Sequence, residues 1–292
     1  MKIGVNLWTA FNWVPARAVE AEDIKRFASM GYQGVELVVD EAQNTVESLT
    51  SRRDAILAAA QECGISIPSI ATILFWSYNP GSCDEKIRQK AAKVITDLCD
   101  VAEQFGAKSV LVVAGLQEPG EDYESTWVRS LQTILSVAPY AAERGITIAI
   151  ENVPCNFLCS PGEYARYIKQ ADHPAVKAYL DIGNGMATLG GFPQNWIRAV
   201  RGCTAMVHVK DCKVGKDNAH GSTVCGMGDL DWETSIASLR ACGYEGWLMV
   251  ETPPQGDECG DDGFPAVGFR AAEIGATFLT RLLDKPVVGS RD

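Results

Sequence analysis

Short apolar runs rich in β-branched residues recur along the whole chain. They are KIGVNLW (2–8), GVELVV (34–39), SIPSIATI (66–73), SVLVVA (109–114), ITIAIEN (146–152), VKAYLDI (176–182), AMVHVKD (205–211) and GWLMVET (246–252). Polar and apolar residues alternate only weakly within them, so each predicts a strand covered on both faces. Segments of helical periodicity lie between: 17–30, 46–63, 84–105, 122–144, 162–171, 194–201, 231–242 and 270–283. Several stop at a glycine, and Ser160-Pro161 supplies an N-cap and first-turn pair. Strand followed by helix, eight times in 292 residues, needs a parallel sheet with right-handed crossovers. The predicted fold is α/β, a (β/α)8 TIM barrel. A doubly wound open sheet fits less well, because no glycine fingerprint follows the first run. No linker or compositional shift interrupts the pattern. Residues 1–292 are therefore expected to form a single barrel domain with a short C-terminal tail from about 284.

Barrel enzymes carry their chemistry at the carboxyl ends of the strands. That rule selects Trp8 in the first run, Glu36 in the second, Trp76 after the third, and Glu151, Asp181, His208 and Glu251 in the last four. Three carboxylates buried together would cost many kcal/mol without a compensating cation. A shared metal bound by Glu151, Asp181, His208 and Glu251 is therefore expected. This oxygen-rich set suits Mn²⁺, with Mg²⁺ or Co²⁺ as alternatives, better than a structural zinc. Lys210 alternates with His208 and shares its face, where it can touch substrate, while Asp211 is placed to orient a ligand. The glycine-rich stretch 183–191 lacks a Walker lysine and reads as a loop that lets backbone approach the site. In GMGDLDW (226–232), Asp229 or Asp231 reads as a helix N-cap. His220 falls in the long loop after the seventh run and reads as solvated.

Composition trims the alternatives. A net charge of −11, with no basic run, excludes nucleic acid as a partner. No apolar stretch approaches the ~20 residues of a membrane span. The ten cysteines contain no CxxC pair, and the opening MKIGVN carries no secretory signal pattern, so a cytoplasmic location is expected. Cys155, Cys159, Cys212 and Cys225 have spacing too irregular for a zinc cluster. The absence of GxSxG argues against a serine hydrolase.

The segments GVEL, IAIEN, YLDIGN, MVHVKD, GMGDLDW and GYEGWLMVET together resemble the sugar phosphate isomerase/epimerase superfamily, the xylose isomerase-like barrels. In motif the chain is most similar to L-xylulose-5-phosphate 3-epimerases. The resemblance implies a divalent metal on Glu151, Asp181, His208 and Glu251. It also implies that Glu151 and Glu251 act as the acid–base pair of a sugar or sugar-phosphate isomerase or 3-epimerase, through an enediolate. Glu36, Asn184 and Lys210, with Trp8 and Trp76, are the substrate-binding candidates. Homo-oligomers, dimers or tetramers, are common among such proteins. The free-ketose epimerases carry a glutamate, a histidine and an arginine where this chain has Phe157, Asn184 and Val214. Phosphate-binding candidates are Lys210, Lys213 and Lys216. The alternative is a lyase on the same scaffold, similar to inosose dehydratase or a C-glycoside deglycosidase. A phosphodiesterase like endonuclease IV would need more histidines and a basic surface, and a non-catalytic sugar-binding barrel would hold metal without proton exchange.

Overall fold

The apolar runs close into a barrel. The computed structural model describes residues 1–11, 13, 15–187, 191–214, 220–252 and 268–285, the side chain of His220 excepted. Its strands are β1 (Lys2–Asn6), β2 (Gly34–Val39), β3 (Ser69–Thr72), β4 (Ser109–Val113), β5 (Thr147–Glu151), β6 (Val176–Asp181), β7 (Thr204–Val209), β8 (Asp211–Val214), β9 (His220–Thr223) and β10 (Trp247–Val250). The closed sheet runs β1-β10-β7-β6-β5-β4-β3-β2 with parallel pairing throughout. Asn6, Glu36, Ser69, Tyr179 and His208 meet inside it, and the alternating Val5, Leu37, Ile70, Val112, Ile150 and Leu248 are buried on the opposite, helix-facing side.

The helices are α1 (Trp8–Phe11), α2 (Ala21–Ser29), α3 (Val46–Cys63), α4 (Glu85–Phe105), α5 (Tyr123–Glu143), α6 (Pro161–Ala171), α7 (Ile182–Ala187), α8 (Pro193–Ala199), α9 (Trp232–Ala241) and α10 (Phe269–Asp284). Their starts are fixed locally. Thr45, Asp84, Asp122, Ser160 and Asp231 each accept a backbone N–H of the first turn. Gly106 ends α4 in the left-handed region at φ 72°, where a side chain would be strained. Asp231 is thus the cap of α9, while Asp229 accepts the N–H of Val214.

Three expectations change. The helix expected over 17–30 shortens to α2, with α1 forming ahead of it. The seventh run breaks after Val209, and Asp211–Val214 pairs antiparallel with His220–Thr223 as a hairpin. The loop expected over 183–191 begins as helix α7. A Cβ on Gly183 would lie 2.5 Å from Lys210 Cγ and 2.8 Å from the Lys210 carbonyl oxygen. That glycine therefore serves close packing rather than chain freedom. Residues 188–190, Lys216, Cys259 and the tail beyond 285 lie outside the described residues. No helix among the described residues is long and apolar enough to cross a membrane.

Candidate metal and active site

Strand register brings the candidate ligands together. Asp181 lies opposite His208 across the β6–β7 pair, Glu151 ends β5, and the N–H of Glu251 bonds to the Val209 carbonyl at 3.0 Å. One ligand atom from each of Glu151, Asp181, His208 and Glu251 falls within 4.8 Å of the others, and all four residues are buried. Three carboxylates and an imidazole at this spacing can hold a divalent metal. Among the described residues this is the one such group, and the four cysteines considered above do not form another.

The imidazole of His208 is held from beneath. Its Nε2 lies 2.7 Å from Glu36 Oε2, and its Nδ1 lies 3.1 Å from Glu151 Oε1 and 3.8 Å from Glu251 Oε1. Glu36 also accepts from Asn6 Nδ2, Ser69 Oγ and Tyr179 Oη, each at 2.6 Å. Burial works to raise its pKa, but the charge of His208 and these hydrogen bonds outweigh it and hold Glu36 below the usual carboxylate range. An ionised Glu36 only accepts, so Nε2 carries a proton and Nδ1 is the nitrogen turned to the metal position.

Glu36, a substrate-binding candidate from the sequence, thus bonds the imidazole instead. It is buried behind His208 and absent from the described cavity lining. Asp211 also finds other company. Its Oδ1 accepts from the N–H groups of Cys212 and Leu230, and its Oδ2 accepts from Gly226 N and Trp232 Nε1. Both oxygens are taken up in organising the β7–α9 connection, away from the metal ligands.

On the open side, burial pushes the Glu151 carboxyl up to about 7, and the charge of Glu251 adds to the rise against the pull of His208 and Lys210. Burial opposes the charge of His208 too, but Glu36 and Glu251 hold its pKa well above the ordinary value. Lys210 reaches back from the end of β7 and bridges Asp181 and Glu251 with its ammonium. Burial again opposes that charge, and the three carboxylates of Asp181, Glu251 and Glu151 override it. The N–H of Asn184 donates to Asp181 Oδ1 at 2.8 Å.

Above these groups lies a cavity of about 640 Å³. Trp8, Trp76, Asn184, Lys210, Glu151 and Glu251 all line it, while Asp181 and His208 are fully buried and outside the lining. Trp8 packs on Trp13 at 4.9 Å between ring centroids. Phe157 is buried among Tyr123, Trp127 and Tyr167, and Val214 is exposed on β8. Lys213 is also on β8, outside the described lining. Sequence reading missed the Tyr179 and Ser69 bonds to Glu36. Alternation offered a hint, since Tyr179 stands two residues before Asp181 and so shares its face.

A model of the family described as "Xylose isomerase-like TIM barrel" matches residues 24–265. The L-ribulose-5-phosphate 3-epimerase UlaE of Salmonella paratyphi C (strain RKS4594) is 25% identical over 245 residues, covering 82% of this chain and 84% of that protein. The protein of the same name from Escherichia coli (strain K12) is 25% identical over 242 residues, with the same coverage. The structure of D-psicose 3-epimerase with D-tagatose, from Clostridium cellulolyticum H10, superposes with a TM-score of 0.79 at 19% identity, covering 97% of this chain and 98% of that one. That last likeness is one of fold.

Proposed function

Starting from a chain that belongs to the xylose isomerase-like TIM barrel family, we propose a metal-dependent isomerase or 3-epimerase of a sugar or sugar phosphate. The reaction begins with proton abstraction from the carbon beside a carbonyl. One observation carries the reading: Glu151 and Glu251 both line the cavity and both border the cluster that can hold a cation. The relatives named L-ribulose-5-phosphate 3-epimerase support it.

Glu151, Asp181, His208 and Glu251 would hold the metal, Mn²⁺ by preference. When bound, it supplies Lewis acidity to the carbonyl and the neighbouring hydroxyl, which acidifies the C–H between them. One glutamate takes that proton from one face of the sugar, and the other returns a proton to the opposite face. Glu151, with a pKa raised to about 7, is suited to exchange a proton near neutrality. Which glutamate is the base follows from the handedness of the substrate. Lys210 offsets the carboxylate charge beside the substrate, Asn184 braces Asp181, and Trp8 and Trp76 offer faces for a sugar ring to stack on. The described cysteines are all unpaired, which supports a reducing, cytoplasmic compartment.

The test is deuterium incorporation. Mn²⁺-loaded protein is incubated in D₂O with ketoses, ketose phosphates, keto-cyclitols and keto-glycosides, and the C–H signals are read by NMR after metal removal. Exchange beside the carbonyl, lost in Glu151→Gln or Glu251→Gln, is the expected result. No exchange across that panel from metal-loaded protein would overturn the reading. Elimination rather than reprotonation among the products would identify a lyase.

A further inference from the structure

Tyr179 stands where the ligand-bearing strands meet. It pairs with Glu151 across β5 and β6, and it precedes Asp181 by two residues on the same face. Its ring lies against the imidazole of His208, with centroids 4.3 Å apart and an interplanar angle of 50°. The side chain is fully buried and absent from the described cavity lining. Its backbone is tied down as well. The Tyr164 hydroxyl lies 2.7 Å from the Ile150 carbonyl oxygen and 3.1 Å from that of Tyr179, bridging β5 and β6 next to Glu151 and Asp181.

The hydroxyl makes a second grip. Glu36 receives a pair of partners on each oxygen: Asn6 Nδ2 and His208 Nε2 on Oε2, Ser69 Oγ and Tyr179 Oη on Oε1. A carboxylate held at one oxygen alone can turn about its last bond, and the imidazole bonded to it would turn with it. The donors on Oε1 oppose that rotation. Ser69 and Asn6 have no ring to lay on the imidazole, so Tyr179 is the donor that holds both the carboxylate and the histidine. Aromatic contact restrains the imidazole directly, while the phenol oxygen finds the partner a buried tyrosine needs.

We infer that Tyr179 is a positioning residue for the metal site: its ring, and its hydroxyl acting through Glu36, fix the imidazole of His208 so that Nδ1 faces Glu151 and Glu251. The inference rests on the metal-binding reading for what His208 does. It rests on the buried contacts alone for what holds His208. An imidazole already fixed in place gives up less freedom when it ligates a cation, so Tyr179 tightens metal binding without meeting the sugar.

Two readouts test it: Mn²⁺ affinity by calorimetry, and the His208 Nε2–H signal by NMR of metal-free protein. Tyr179→Phe keeps the ring and removes the hydroxyl, and should weaken Mn²⁺ binding about tenfold. Tyr179→Leu removes both grips and should weaken it about 100-fold. In a Glu36→Leu background the hydroxyl has nothing to hold, so adding Tyr179→Phe should change affinity by less than about twofold. General destabilisation would not produce that coupling. The Nε2–H signal should be sharp in the wild type and broadened in Tyr179→Leu. Wild-type affinity in both Tyr179 variants, or an undiminished tenfold loss from Tyr179→Phe in the Glu36→Leu background, overturns the inference. Where Glu36→Leu does not fold, or the wild type binds no Mn²⁺, the NMR signal decides. An unbroadened signal in Tyr179→Leu overturns the positioning role. A broadened signal in a protein whose wild type takes up no Mn²⁺ would keep that role and remove the metal-dependent function.

Discussion

Glu36 and Glu151 touch the same imidazole from opposite sides, and both are buried. Their carboxyls nevertheless move in opposite directions, Glu36 below its ordinary range and Glu151 up to about 7. Desolvation acts on both. The difference lies in the donors. Glu36 collects hydrogen bonds from Asn6, Ser69 and Tyr179 besides His208, whereas Glu151 has His208 on one side and the like charge of Glu251 nearby. Burial sets the cost of a charge, and the surrounding hydrogen bonds decide whether the chain bears it. One glutamate is thereby fixed as an anion that orients a ligand, and the other is left able to change protonation.

The sharpest way to break this contrast is at the reactive side. Glu151→Gln or Glu251→Gln should lower deuterium exchange by about 10²–10⁴-fold, the usual contribution of a general acid or base, read by NMR at saturating Mn²⁺. Next is stability of the metal-free protein. The folded chain keeps the Glu151 proton up to about pH 7, while the unfolded chain releases it near the ordinary 4.5. Between those values the folded state binds more protons, so rising pH removes stability, about 3 kcal/mol in all. Glu151→Gln should recover that amount at pH 8 and almost none at pH 4.5, measured by urea denaturation.

On the other side of the ring, Glu36→Leu removes the acceptor that orients His208 and should weaken Mn²⁺ binding by about 10–100-fold, read by calorimetry. Glu36→Gln keeps an amide oxygen for Nε2–H and should fall between Leu and wild type. Wild-type affinity in Glu36→Leu would sink the orienting role. Asp211→Asn is the smallest perturbation. It spoils a carboxylate that accepts four N–H groups without touching a metal ligand, so stability should fall by about 1–3 kcal/mol. Mn²⁺ affinity should stay at the wild-type value.

The barrel was legible because its signals are local. Apolar runs such as SVLVVA, helix stops such as Gly106, and caps such as Ser160 each act within a few residues. Topology then carries Glu151, Asp181, His208 and Glu251 to one end of the barrel, where they converge. What stayed hidden depends on contacts between distant strands. The bond from Tyr179 to Glu36 spans 143 residues, and the reach of Lys210 to Asp181 and Glu251 follows side-chain paths that periodicity does not encode. Glu36 looked available to substrate because its place on the second strand was visible, while its depth in the middle of that strand and its four partners were not. Helix α7 was hidden for a different reason: its two glycines argue for a loop, and tight packing against Lys210 supplies a reason for Gly183 that propensity lacks.

The ammonium of Lys210 has one more consequence, for the order of events when the chain matures. Since a built-in cation already bridges two of the four carboxyl-terminal ligands, closing the barrel does not have to wait for an ion from solution. Refolding in the presence of a chelator should therefore reach the native barrel, with metal uptake following as a separate, later step. In a chain lacking this lysine the same carboxylates would repel one another during assembly, and folding would become coupled to metal supply.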